Sequence, residues 1–349
     1  MIYLVWESLA LLLSKSKVNK KRATLFMGSI LWLLMSIRSW DIGLNDTRGI
    51  FYRDFNRLSG ISLGEALRLQ PFIKEPLMNA YTWLLNMVFA GNFQLFLAVS
   101  SLIPTVAVVW LILKKTDKPL YGLLTYFAMF YFYQSFMIKQ MIALSFVIFS
   151  IQYLNSRKLA KYCFFIILAG LFHKSAYILL VAYPLCKYLK FGKKYFIILI
   201  SAMALGVSGG HYILNFLYKL SFYDFRLYIA TGIYTTNNNF NFSILMFPAI
   251  CFFAFILRDK NLDSREQNDY FILMFTGCVL NSWSIVVAEF YRLAVYFFVC
   301  IIFILPNMIT RMPRRYRNLV QIALLSFLCI YAYKSALNSN CLPYKVFFE

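Results

Sequence analysis

The chain has 349 residues, 61% of them apolar and only 14% charged, with a formal net charge of +21. A water-soluble fold of this composition would lack the polar surface to cover itself, so the bilayer must be the solvent. The positive excess then reads as basic loops facing a cytoplasm and anionic lipid, and a nucleic-acid partner is not expected. Continuous apolar stretches such as FQLFLAVSSLIPTVAVVWLIL (93–113) favour helices over the alternating strands of a barrel. Seven single cysteines without a CxxC spacing, and two distant histidines, predict neither a disulfide framework nor a metal site, and no cofactor is expected. The N-terminal apolar run has no basic lead and is interrupted by Glu7, so no cleavable signal peptide is expected.

Taken in chain order, the hydrophobicity predicts an all-α integral membrane protein of about 12 transmembrane helices, each needing roughly 20 residues per crossing. A single polytopic membrane domain over 1–349 leaves no room for a separate soluble domain. The first crossings are read at 1–13 and 23–37. A long outer loop (38–76) follows, then a short outer-face or re-entrant helix (77–89) and a crossing at 93–113. Paired segments come next: 120–133 with 139–155, 160–172 with 175–186, 195–216 with 242–257, and 269–286 with 291–309. A last span covers 319–335. Basic clusters between these segments all fall on one side, which the positive-inside tendency assigns to the cytoplasm. A second outer loop, about 217–241, carries the turn-prone run Thr235 to Asn239. Within 160–186 each half is too short to span alone, which puts His173, Lys174 and Ser175 at a bend below the outer surface.

Charges away from the basic clusters are few, and near a bilayer such residues are functional candidates by default. The outer loop supplies Arg38, Asp41, Asp46, Arg53, Asp54 and Glu75. Lys139 and Gln140 open one span, and Glu289 and Arg292 share one helical face at a spacing of three. Each is individually as well explained by a salt bridge at a helix end. Together they place cations suited to phosphate, and carboxylates suited to proton transfer, on one side.

The ordered set RSWDIGLNDT (38–47), FYRDF, KEPL (74–77), IKQMIALSF (138–146), NSRKLAKY, LAGLFHKSAYILL (168–180) and FYRLAVYF (290–297) resembles the EpsG-type, Wzy-like polysaccharide polymerases of bacterial envelopes. Two departures stand out: Lys139 occupies a position where such proteins usually carry arginine, and Ile50 one where they carry tyrosine. The resemblance implies a glycosyltransferase joining undecaprenyl-diphosphate-linked oligosaccharide repeat units, to make O-antigen, capsule or exopolysaccharide. The work would be done at the outer face of the bacterial cytoplasmic membrane. Expected partners are those lipid-linked oligosaccharides and the lipid bilayer, with a flippase and a chain-length regulator as associated proteins. On this reading Arg38, Lys139, Gln140, Lys174 and Arg292 bind the substrate diphosphates, and Asp46, Glu75, His173 or Glu289 is the catalytic base. The alternatives are a lipid-linked oligosaccharide flippase, a glycan ligase or a sugar acyltransferase.

Overall fold

A computed structural model describes residues 1–43, 46–69, 75–219, 242–258, 264–285 and 289–348, with side chains for all of these except 207–219, 264, 289 and 314. The chain is 81% helical, and no strand occurs among the described residues. The helices are α1 (Ile2–Lys15), α2 (Lys20–Ser36), α3 (Arg53–Arg57), α4 (Leu63–Arg68), α5 (Pro76–Val88), α6 (Phe93–Lys115), α7 (Pro119–Met129), α8 (Ile138–Asn155) and α9 (Leu159–Phe172). They continue as α10 (Ala182–Tyr188), α11 (Lys194–Lys219), α12 (Ser243–Ile256), α13 (Ser264–Ser282), α14 (Glu289–Phe298), α15 (Ile301–Arg311) and α16 (Arg314–Asn338). The expected outer loop is itself largely helical, with a π-helical turn at Thr47–Tyr52 running into α3. The loop expected at 217–241 lies almost wholly outside the described residues.

Local chemistry explains the helix starts. Asn19 accepts from the Arg22 amide at the head of α2, and Ser62 and Glu65 cap α4 reciprocally. Pro76 and Pro119 sit in the first turns of α5 and α7, where a missing N–H costs nothing. The Asn92 side chain caps α6.

Fewer helices than the expected dozen are individually long and apolar enough to cross a membrane. Among the described residues three qualify, Phe93–Lys115, Ile138–Asn155 and Arg315–Asn338, with a fourth if Phe290–Phe298 and Ile301–Arg311 form one broken span. The physical reason is that several expected spans are interrupted. The segment expected at 120–133 ends its α-helix at Met129 and tightens into a 3₁₀ turn at Tyr131–Ser135. Within 160–186 the bend expected at His173 is present: the α-helix ends at Phe172 and a 3₁₀ helix covers Lys174–Val181, so neither half is a long helix. Exposed apolar side chains such as Leu319, Ile322 and Ile330 on α16 would be costly in water and suit lipid.

The chain divides into two compact units, Met1–Tyr153 with Ala160–Tyr177 and Ile302–Glu349, and Leu154–Leu159 with Ile178–Ile301. In the first, α2 and α6 pack so closely that a Cβ at Gly28 would press on Val109. Phe55, Met78, Phe93, Phe96, Ile138 and Ile142 form one buried cluster joining α3, α5, α6 and α8. The second unit is organised by a charge pair. Arg157 donates from both terminal nitrogens to Asp269 (2.7 and 2.8 Å), and Asp269 is fully buried. Arg157 adopts a left-handed backbone (φ 55°), its carbonyl accepts from the Tyr183 hydroxyl, and its guanidinium also reaches the Cys186 carbonyl. Its hydrogen bond and ion pair with Asp269 raise its pKa further above the ordinary arginine value. One member of the NSRKLAKY turn is therefore a structural clasp and not a solvated charge. Arg157→Met would leave Asp269 buried without its partner, and the expected cost is about 3–5 kcal/mol. Thermal unfolding of the purified protein in detergent measures this.

Candidate active site

Three helix ends in the first unit converge. Glu75 immediately precedes α5, Lys139 lies in the first turn of α8, and His173 follows the last residue of α9. One aromatic side chain holds them in register. Phe172 stacks on Phe146 of α8 (centroids 5.3 Å apart, 19° between planes) and meets Tyr81 of α5 edge-on (5.9 Å, 71°). The His173 amide still donates to Ala169, so the break falls after it and leaves its ring at the end of the helix.

Glu75 is the common partner. Lys139 Nζ donates to Oε2 (2.8 Å), His173 Nδ1 lies 2.7 Å from Oε1, and the Lys174 amide donates to Oε1 (3.2 Å). Burial alone would push the Glu75 carboxyl up, but the hydrogen bond from His173 and the charge of Lys139 outweigh it and hold it at about 2. An ionised carboxylate only accepts, so Nδ1 of His173 must carry the proton in this contact. In a neutral imidazole the lone pair then belongs to Nε2. The His173 and Lys139 side chains are each 23% exposed, against 7% for Glu75, so the two basic groups are open to a ligand while the carboxylate is enclosed. This is the arrangement of an oriented imidazole beside a cation. It can remove a proton and stabilise a departing anion.

Four of the expected residues, Glu75, Lys139, His173 and Lys174, thus meet in one constellation, Lys174 through its backbone. Gln140 is buried in the turn behind Lys139. Arg38 is buried within the unit and donates to the Ser135 carbonyl (3.3 Å). The same carbonyl accepts from the Thr47 hydroxyl (2.6 Å), and Gly43, at φ 105°, passes so close to it that any Cβ would collide. Arg38, Gly43 and Thr47 are therefore moored just ahead of α8, and Asp46 is partly exposed. Arg292 lies on α14 in the second unit, and Lys74 and the Glu289 side chain lie outside the described residues.

A further charged group lies on α3. Asp54 is 2% exposed and both its carboxylate oxygens are buried without a hydrogen-bond partner, while Arg53 and Arg57 approach Oδ1 at 3.7 and 3.9 Å. Burial raises the Asp54 pKa despite the nearby charges of Arg53, Arg57 and Lys139. Arg53 and Asp54 belong to the outer charges named from sequence but not to the candidate site residues, and Arg57 belongs to neither. The available signal was the RDFNR spacing, which puts Arg57 one helical turn from Asp54, and Arg53 one turn from Arg57.

A family model for the EpsG family matches residues 21–346. The chain belongs to the EpsG family. This membership agrees with the resemblance carried by the ordered motifs and places this EpsG-family chain among membrane proteins of polysaccharide biosynthesis. No curated protein and no solved structure matches the chain.

The depressed pKa of Glu75 has a measurable consequence. Its folded-state value of about 2 lies below its ordinary 4.5, so its ionisation stabilises the fold above about pH 4.5, and that stabilisation is lost as pH falls towards 2. The unfolding midpoint of the native protein should exceed that of the Glu75→Gln variant at neutral pH, with the gap closing over this acid range. A gap independent of pH would contradict the ionised, shared carboxylate.

Proposed function

We propose that this EpsG-family protein is a polysaccharide polymerase that joins lipid-diphosphate-linked oligosaccharide repeat units at the outer face of the bacterial cytoplasmic membrane. The observation that carries the reading is the Glu75–His173–Lys139 constellation, set in a chain whose family points to polysaccharide biosynthesis. The interrupted apolar segments together supply the dozen passes, and the site lies towards the outer ends of α5, α8 and α9.

In the reaction, the acceptor sugar hydroxyl attacks the anomeric carbon of the donor glycan. Its proton passes to Nε2 of His173, the bond from the anomeric carbon to the diphosphate oxygen breaks, and the electron pair leaves with the diphosphate. Glu75 holds the imidazole in the correct tautomer and stabilises the imidazolium that forms. Lys139 is drawn to the negative charge that accumulates on the departing diphosphate, and the N-terminus of α8 adds positive potential there. As a lysine, Lys139 acts as a point charge without a fork-like bidentate fit.

His173→Gln should lower polymer formation by about 10²–10⁴-fold, the range for loss of a positioned proton acceptor. Lys139→Gln should also lower it, with recovery in Lys139→Arg. The measurement is glycan chain length on a gel, from a strain lacking the protein and complemented with each variant. Single repeat units on the acceptor in the deletion strain support the polymerase. Complete loss of surface glycan, with lipid-linked single units trapped inside, would replace it with a flippase.

A further inference from the structure

Two guanidinium groups on α3 are held in an arrangement that the chemistry above does not use. Arg53 and Arg57 both reach one oxygen of Asp54, at 3.7 and 3.9 Å, distances too long for hydrogen bonds. Their side chains are 61% and 53% exposed, so both guanidinium groups are open to a ligand while the acid they share is enclosed. At a spacing of four on one helix the two like charges repel each other. The single acid between them is buried, so its charge fixes the inner side of the pair and leaves the donors outward. The local charge is one carboxylate against two arginines, with the Lys139 ammonium close enough to act on the same carboxylate. A cation would be repelled, and a neutral ligand would leave the excess charge in place. An anion with several oxygens satisfies both guanidinium forks at once.

We propose that Arg53 and Arg57, seated on the buried Asp54, form a second anion site that takes a diphosphate. Resting on the polymerase reading, this site would hold the diphosphate of the second lipid-linked substrate while Lys139 faces that of the first. Asp54 is a positioning residue. Its two oxygens without hydrogen-bond partners are a standing cost to stability that serves to spread the arginines over one point.

The test is calorimetric binding of inorganic diphosphate to the full-length protein in nanodiscs, at low and high salt. The Arg53→Gln/Arg57→Gln variant should bind at least about tenfold more weakly, as loss of charge-assisted hydrogen bonds predicts, and Arg53→Lys/Arg57→Lys should recover part of the affinity. Arg53→Lys/Arg57→Lys keeps both charges beside the buried Asp54, so its unfolding midpoint should stay near the native value, whereas the glutamine variant strands the acid and should unfold at a lower one. Affinity unchanged by the double substitution overturns the site. So does a loss of affinity that coincides with a lowered midpoint in both the glutamine and lysine variants, because the arginines would then be structural. Undecaprenyl diphosphate in the nanodisc distinguishes the sources of the ligand: competition with the inorganic ion identifies a lipid headgroup, and its absence identifies free diphosphate. Because the readout is binding, it separates the two claims. A protein that binds diphosphate here but makes no polymer retains the site and loses the polymerase reading. One that makes polymer with binding unaltered in the double variant loses only the site.

Discussion

The first unit depends on one shared carboxylate. Glu75 is enclosed, ionised and satisfied by three donors that come from the start of α8, the end of α9 and the backbone beyond it. An unpaired carboxylate in that position would be expensive, so the helix ends are constrained to arrive together. Phe172, packed between Phe146 and Tyr81, supplies the apolar side of the same constraint. The result is a rigid polar junction whose enclosed member orients the two more exposed ones. That is the geometry expected of a site and not of a surface ion pair, which contributes little and fixes nothing.

Buried charge in this chain appears in two contrasting forms. The Arg157–Asp269 clasp is fully engaged, with two parallel hydrogen bonds and two carbonyl or hydroxyl contacts around it. It ties a left-handed turn to α13 and presents no donor pair to a ligand. Asp54 is the opposite case, a buried acid whose cations stand beyond hydrogen-bonding distance. Departures of the second kind, where local satisfaction is given up, concentrate at functional sites.

Composition and apolar runs made the helical class legible, because hydrophobic length is a one-dimensional property. The break at His173 was also legible, since two halves of about a dozen residues cannot each cross a bilayer. Glu75, Lys139 and His173 could be named as candidates by rarity of charge, but not as neighbours. They are 64 and 98 residues apart, and pairing at such separations is a property of packing. The enclosure of Arg38 was equally hidden. It follows from the Ser135 carbonyl, the Gly43 turn and Thr47 meeting at one point, and no local pattern announces that. The dozen expected crossings are not all visible as long helices among the described residues, because a break at Phe130 divides a segment that hydropathy reads as continuous and the halves on either side of His173 are each short. The RDFNR turn shows the reverse, a local spacing readable from sequence whose meaning needed the burial of Asp54 to emerge.

An ionised Glu75 fixes the His173 imidazole with its proton on Nδ1. The chain has only two histidines, so a His211→Asn protein carries a single one. Nitrogen NMR of that protein, labelled at histidine and held near neutral pH in nanodiscs, reports the tautomer directly. The native protein should show a protonated Nδ1 with an unprotonated Nε2, reverting to a mixture in Glu75→Gln. A proton on Nε2 in the native protein, or a tautomer indifferent to Glu75, would contradict it.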